Sequence, residues 1–332
     1  MDLTLGAIIL YTAVIGVFIF LVFCILLKLT TKPYPVIQRS KNEKYFKDRI
    51  SQTPILFPSL HDPSSIHLSV IVPAYNEAIR LPPMLDECIE FLENRSKSSK
   101  FDYEIIVVSD GSTDDTVSVA QKYAKKFSDN KIRILDLEKN RGKGGAVRLG
   151  MLSARGAMLL FVDADGATKF SDLSKLEASL AQILQCDYLK QPDVVSGKQA
   201  IAIGSRAHLE DDAIASRSYF RTILMYGFHF LVWFFAVRGL RDTQCGFKLL
   251  TRQAARICFE NMHVERWAFD VELLYIAQTL NIPISEIAVN WTEIEGSKVT
   301  PVWSWIQMGK DLGLIWLRYK LGAWKLSTEK CK

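Results

Sequence analysis

Leu159-Leu160-Phe161-Val162-Asp163-Ala164-Asp165-Gly166 decides how this chain reads. An apolar run of strand type ends abruptly in two carboxylates one residue apart, and Gly166 lets the backbone turn. Two carboxylates this close repel unless a cation sits beside them. Carboxylate oxygens suit a hard divalent ion such as Mg²⁺ or Mn²⁺, which usually also holds substrate phosphates. An isolated D-x-D also fits a solvated turn built from two Asp residues. Its place at the end of a buried strand favours the metal reading, because open α/β sheets bind ligands beyond the carboxyl ends of their strands.

Outward from that strand, the pattern alternates. Strands are expected at His67–Val72, Glu104–Val108, Ile132–Leu137, Met158–Val162, Ala200–Ile203 and Ile287–Trp291. Helices are expected at Arg80–Glu93, Thr113–Phe127, Gly144–Ala154 and Asp172–Gln185, with Asp172 and the Thr113–Asp115 cluster as N-caps. Such alternation implies a mainly parallel sheet between helices.

Three more motifs share the expected ligand-binding edge. Val72 runs into Pro73-Ala74-Tyr75-Asn76-Glu77, where Pro73 is expected to stop the strand and Tyr75 offers a face for a base. Ser109-Asp110-Gly111 places a carboxylate at a strand end, where it can accept from a ribose or base edge. Asn140-Arg141-Gly142-Lys143-Gly144-Gly145 looks like a glycine-rich anion loop before a helix, with Arg141 and Lys143 adding charge. It matches neither the Walker sequence nor G-x-G-x-x-G, so the dinucleotide fold is a decoy reading of this loop.

The ends of the chain read differently. From Leu3 to Leu27 there is no charged residue, and about 20 apolar residues suffice to span a bilayer as a helix. Asp2 before the run, and bulky Leu26 and Leu27 at its end, argue against a cleaved signal peptide. Lys28, Lys32, Arg39, Lys41, Lys44 and Lys47 all follow the run, which places residues beyond it in the cytosol. The sequons at Asn94 and Asn290 must then stay unmodified. Residues 28–66 read as a basic, Pro-punctuated linker with a short surface helix near 38–50. Residues 67–300 form the expected catalytic domain, with a nucleotide half at 67–210 and an acceptor half at 211–300. An aromatic stretch, 219–237, reads as a buried or interfacial helix. Residues 301–332, with Trp303, Trp305, Trp316 and Trp324 among basic side chains, read as a membrane-surface tail or a docking helix.

The net charge of +5 argues against a nucleic-acid surface and fits anionic lipid or phosphate ligands. Six scattered cysteines lack metal-type or disulfide-type spacing, which indicates a reducing compartment. Homo-oligomerisation is left open.

The four strand-end motifs, in this order, resemble the inverting family 2 glycosyltransferases with the GT-A nucleotide-sugar fold. Three later segments, Arg241–Lys248, Glu265–Glu272 and Asn290–Lys298, are similar to one branch of that family. That branch transfers glucose from UDP-glucose to dolichyl phosphate in the endoplasmic reticulum membrane. The resemblance implies that Asp163 and Asp165, with Ala164 between them, hold Mg²⁺ or Mn²⁺ at the UDP diphosphate. It also implies that Asp110 and the Pro73, Ala74, Tyr75 and Glu77 turn face uridine, and that Lys143 meets a phosphate or the nucleotide. An ionised lipid phosphate needs no strong base, only cationic docking. Arg241, Lys248 and Lys298 are candidates because they lie inside motifs; Arg206, Arg217 and Arg221 are further ones. Asp270 and Glu272 are candidates to orient the sugar hydroxyls or the acceptor, or simply to charge a helix N-terminus. GDP-mannose as donor, with dolichyl phosphate as acceptor, is the competing substrate reading. A membrane-bound nucleotidyltransferase is the competing reaction.

Overall fold

The computed structural model describes residues 2–47, 53–127, 131–209, 227, 237–294, 296 and 301–327. Arg217, Arg221 and Lys298 lie outside them, as does all of the expected helix 219–237 except Gly227 and Val237. The strands are β1 (Tyr45–Lys47), β2 (Pro54–Leu56), β3 (Ile66–Ala74), β4 (Tyr103–Ser109), β5 (Ile132–Asp136), β6 (Gly156–Val162), β7 (Ile201–Ser205), β8 (Phe247–Thr251) and β9 (Ile284–Ala288). The helices are α1 (Asp2–Thr30), α2 (Leu81–Ser98), α3 (Thr116–Phe127), α4 (Lys143–Met151), α5 (Leu173–Leu184), α6 (Pro192–Ser196), α7 (Arg252–Asn261), α8 (Phe269–Thr279) and α9 (Pro301–Lys320).

Seven strands form one sheet in the order β5-β4-β3-β6-β8-β7-β9. Every residue of β4, β6 and β8 is buried, as a sheet covered on both faces requires. Alternate side chains feed two cores. Ile71, Ile106, Leu159 and Phe161 meet Val147 of α4, Ala254 of α7 and Leu273 of α8. Val70, Ile105, Leu160 and Val162 meet Leu85 of α2, Ala120 of α3 and Leu176 of α5. The first strand of the large sheet, β3, has β4 and then β5 on one side, and β6 on the other. That reversal makes a crevice beyond the carboxyl ends of β3 and β6, where Glu77 and Asp163 follow.

The expected mainly parallel sheet between helices is present: β5, β4, β3 and β6 run parallel, and this is a GT-A-like α/β fold. One strand escapes the pattern. β8 runs antiparallel to both β6 and β7. Its second residue is Lys248 and a polar motif runs into it, so it reads as polar motif rather than strand. Pro73 does not stop β3, which continues to Ala74. Ala74 accepts from the Asp110 N–H on the β4 side, so the nitrogen of Pro73 faces β6. There the ladder has already ended at Ile71 and Phe161, and no donor is missed. The last strand lies earlier than Ile287–Trp291, because Pro283 leads into pairing with β7 while Trp291 makes a single bridge to Thr168. Asp172 does not cap α5; its carboxylate accepts from Asn290 instead. Over the described part of the expected helix near 38–50, residues 38–47, a 3₁₀ turn at Asn42–Lys44 and then β1 stand in its place.

Gly6–Thr30 of α1, 25 residues, is long and apolar enough to cross a membrane. At the other end, α9 docks on the domain. Met308 and Leu312 are buried in the main core, and Ile315 packs with Ala268 and Trp324. Trp324 is therefore a packing residue, not an interfacial one.

Candidate active site

Beyond Val162 the chain turns sharply. The Asp163 N–H donates to the Gly246 carbonyl (3.0 Å), continuing the β6–β8 contact by one residue. Asp165 Oδ1 accepts from the Ala167 N–H at 3.0 Å, and Gly166 takes φ +73°. Both carboxylates are partly open, with side chains 35% and 27% exposed. Burial, and then the charge of Asp163, push the Asp165 carboxyl above the usual range. Gly246 closes the back of the site. A Cβ there would lie 2.0 Å from Asp163 Oδ2, so only glycine lets the carboxylate occupy this place.

Lys143 opens α4 after Gly142, whose φ of +87° favours glycine. Its Nζ lies 2.6 Å from Asp163 Oδ1. Burial opposes its charge, yet the carboxylates of Asp163 and Asp270 hold its pKa above the ordinary lysine value. The other glycines of this loop serve packing rather than an anion cradle. A Cβ on Gly144 would lie 2.5 Å from Phe269 Cβ, and one on Gly145 would lie 2.7 Å from Arg141 Cβ. Three of the loop amides are also occupied. Arg141 and Gly142 donate to the two oxygens of Asp110 (2.7 and 2.9 Å), and Gly145 donates to the Glu265 carbonyl. Asp110 thus ties this loop to the end of β4, and burial raises its pKa against those hydrogen bonds.

The first motif turns at Asn76, φ +52°, whose Oδ1 accepts from the Thr113 N–H (2.8 Å). Tyr75 is 39% exposed. Glu77 receives a two-point contact from Arg80 (2.7 and 2.6 Å), and Arg80 Nη1 reaches to 4.0 Å from Asp165. The Pro73–Glu77 turn, Asp110, Lys143, Asp163, Ala164 and Asp165 therefore all sit at the carboxyl edge of β3, β4 and β6.

The acceptor-side candidates fare differently. Lys248 is fully buried; its ammonium donates to Asp270 and to the Thr243 carbonyl (2.9 Å), and lies 5.1 Å from the Phe161 ring centroid. It cannot reach out to dock a lipid phosphate, and that expectation is corrected. Asp270 is buried beside it, with its carboxyl raised by burial and lowered by Lys248 and Lys143. Glu272 points elsewhere, accepting from the amides of His263 and Val264 and from the Tyr319 hydroxyl. Its expected sugar-orienting role is also corrected. Arg206 is committed to Asp242 through two contacts (2.7 and 2.9 Å). Arg241 is exposed, and its backbone N–H donates to Glu286.

Among the described residues no three metal-type side chains cluster. The two-carboxylate site still fits Mg²⁺ or Mn²⁺, which commonly takes one or two carboxylates and completes its shell with water and phosphates. The raised carboxyl of Asp165 beside Asp163 is the like-charge arrangement that such a cation relieves.

The family model described as glycosyl transferase family 2 matches residues 69–254. The chain belongs to glycosyl transferase family 2. A dolichyl-phosphate beta-glucosyltransferase from Drosophila melanogaster is 62% identical over 303 residues, covering 91% of this chain and 90% of that one. The protein of the same name from Homo sapiens is 57% identical, with the same coverage. That from Saccharomyces cerevisiae is 44% identical, covering 81% of this chain and 80% of that one. Among solved structures, the UDP complex of glucosyl-3-phosphoglycerate synthase from Mycobacterium tuberculosis aligns with a TM-score of 0.49 at 16% identity, over 78% of this chain and 81% of that one.

This glycosyltransferase also has site residues that carry little signal in the sequence. Gly246 sits in a motif whose charged members draw attention away from it. Arg80 follows Glu77 by three residues, a spacing that itself signals pairing on a helix start. Thr243 and Glu265 act through backbone carbonyls, which no side-chain pattern announces.

Proposed function

We propose that this glycosyltransferase moves a glucosyl unit from UDP-glucose to dolichyl phosphate with inversion at the anomeric carbon. The products are dolichyl β-D-glucosyl phosphate and UDP. Identity of 62% over 91% of the chain to a relative named for this acceptor and sugar carries the substrate assignment. The strand-end carboxylates carry the chemistry.

Asp163 and Asp165 would hold Mg²⁺ or Mn²⁺, which supplies Lewis-acid neutralisation of the diphosphate when bound. Lys143 provides a fixed cation beside them. Asp110 and the Pro73–Glu77 turn bound the nucleotide side, with Tyr75 as a stacking face. The bond from the anomeric carbon to the UDP β-phosphate oxygen breaks, and UDP leaves with the electron pair. An oxygen of the acceptor phosphate forms the new bond from the opposite face. With a second pKa of about 6, that phosphate is already ionised at neutral pH and needs positioning rather than deprotonation. Arg241 is an exposed cation within a motif, and with Lys298 it would dock the acceptor phosphate. Lys248 and Asp270 position the floor of the site from behind.

The apolar α1, with Lys28 in its last turn and Lys32 after it, supports a single-pass anchor with the catalytic domain in the cytosol; the endoplasmic reticulum membrane follows from the dolichyl-phosphate acceptor for which the relatives are named. Supplying radiolabelled UDP-glucose or GDP-mannose with dolichyl phosphate and Mg²⁺ tests the reading. Label from UDP-glucose should enter the lipid phase. Label only from GDP-mannose overturns the sugar, and pyrophosphate release in place of UDP overturns the reaction class.

A further inference from the structure

A cleft of about 1120 Å³ adjoins the Asn140–Gly142 loop, whose amides at Arg141 and Gly142 hold Asp110. Its walls are the end of α1 (Leu27, Thr30), the segment from Lys32 to Glu43, the loop at Lys139–Arg141, and His263, Arg318 and Trp324. Asp163, Asp165, Lys248 and Asp270 are not among its lining residues. Seven Lys or Arg side chains line it against three Glu. Those carboxylates are already engaged. Glu43 accepts from Arg141 (2.8 Å) and from two backbone amides, Glu265 pairs with Arg148, and Glu138 accepts from Asn42 (2.9 Å).

Several donors around the cleft remain unmet. The Nε atoms of Arg141, Arg148 and Arg318 are buried without a hydrogen-bond partner among the described residues. Buried donors left in this state are costly, and they mark a place where an acceptor is missing. Burial lowers Arg39 and Arg148 to about 10, so their charges are incompletely compensated. One wall is preorganised for a charged group. The His263 ring stacks on Trp324 at 4.1 Å and 8°, and the Arg318 guanidinium lies 4.7 Å from the same indole. A volume of this size suits a small-molecule ligand rather than a single ion.

We propose that this cleft is a second ligand site, holding the anionic phosphate headgroup of a membrane lipid. The position decides the source: α1 delivers the cleft to the bilayer surface on its basic side, where anionic headgroups collect. Lipid bound there would pin the segment after α1 against the glycosyltransferase domain and so set the height of the catalytic edge above the membrane. The inference rests on α1 being a membrane anchor and does not depend on which sugar is transferred.

The test uses the full chain purified in a neutral detergent. Phosphatidic acid, phosphatidylcholine, inorganic phosphate and dolichyl phosphate are added separately, and retained ligand is counted by native mass spectrometry. Phosphatidic acid should be retained at least about tenfold better than phosphatidylcholine, and Arg318→Gln should weaken it about tenfold. Lys32→Gln with Lys139→Gln, both exposed, should also weaken it and keeps the test valid if Arg318→Gln disturbs folding. Equal retention of the two phospholipids would overturn the site, as would retention unchanged in the double variant. Inorganic phosphate competing at the same concentration would assign the cleft to a soluble anion instead. Displacement of phosphatidic acid by dolichyl phosphate would make the cleft part of the acceptor path and overturn its separateness.

Discussion

Lys143 with Asp163, and Lys248 with Asp270, are two ion pairs served by neighbouring strands and built on opposite terms. The first pair is partly open, its side chains 17% and 35% exposed. The second is closed, at 0% and 5%. The register of β6 on β8 puts Phe161 opposite Lys248, so the closed pair stands just behind the strand end that carries the open one. An open pair exchanges partners cheaply, because water can solvate either ion while it is alone. A closed pair cannot, because each buried ion depends on the other. We read the open pair as the part of the site that responds to substrate and cation, and the closed pair as its rigid floor.

Breaking the closed pair should cost most. Lys248→Met leaves Asp270 buried and unpaired, and should destabilise the protein by about 3–5 kcal/mol, read by denaturant unfolding. Adding Asp270→Leu should recover most of that loss. A Lys248→Met variant of unchanged stability would remove the contrast. On the open side, Asp165→Asn should lower glucosyl transfer by about a hundredfold or more while the melting temperature hardly moves. Near-normal turnover with Mg²⁺ present would show that the pair holds no essential cation. Gly246→Ala forces its methyl into Asp163 and should cost about 1–3 kcal/mol, with a larger loss of transfer than its stability change explains. The smallest effect is on pH. The raised carboxyl of Asp165 means that the folded state binds this proton more tightly than the unfolded state. Its contribution to stability is thus present below the unfolded value, about 3.9, and is lost as pH rises through the higher folded one. Without divalent cation, Asp165→Asn should flatten that part of the stability profile. The thermal shift produced by Mg²⁺ should grow over the same window, as the carboxylate ionises.

The two halves of the domain were not equally legible. β3, β4, β5 and β6 announce themselves because each is a mainly apolar stretch closed by turn chemistry, even with Glu104 in β4 and Arg133 in β5. β8 carries a lysine at its second position, directly after a polar motif, and so hides as a strand. It is tolerated there only because Asp270, on a helix that begins twenty-one residues after the charge, neutralises it (|i−j| = 22). The same long-range pairing explains why Lys248 looked like a docking residue. A motif lysine is indistinguishable from a surface one until its burial is known. Asp172 misled for the reverse reason: a residue with the right chemistry for a cap found a better partner, Asn290, far along the chain.

What the sequence by itself determined is the set of local constraints. These are the apolar α1, the strand–turn–helix alternation, the paired carboxylates after β6, and the family likeness carried by motifs in order. Each depends on residues close together in the chain, where periodicity and side-chain chemistry are enough. The tertiary structure alone decided which charges meet. It set Gly246 against Asp163, sealed Lys248 with Asp270, turned Glu272 away from the site, and gathered the basic cleft from segments at both ends of the chain. Those outcomes depend on burial and on partners distant in sequence, and the energy of a charge is set by such surroundings rather than by its neighbours along the backbone.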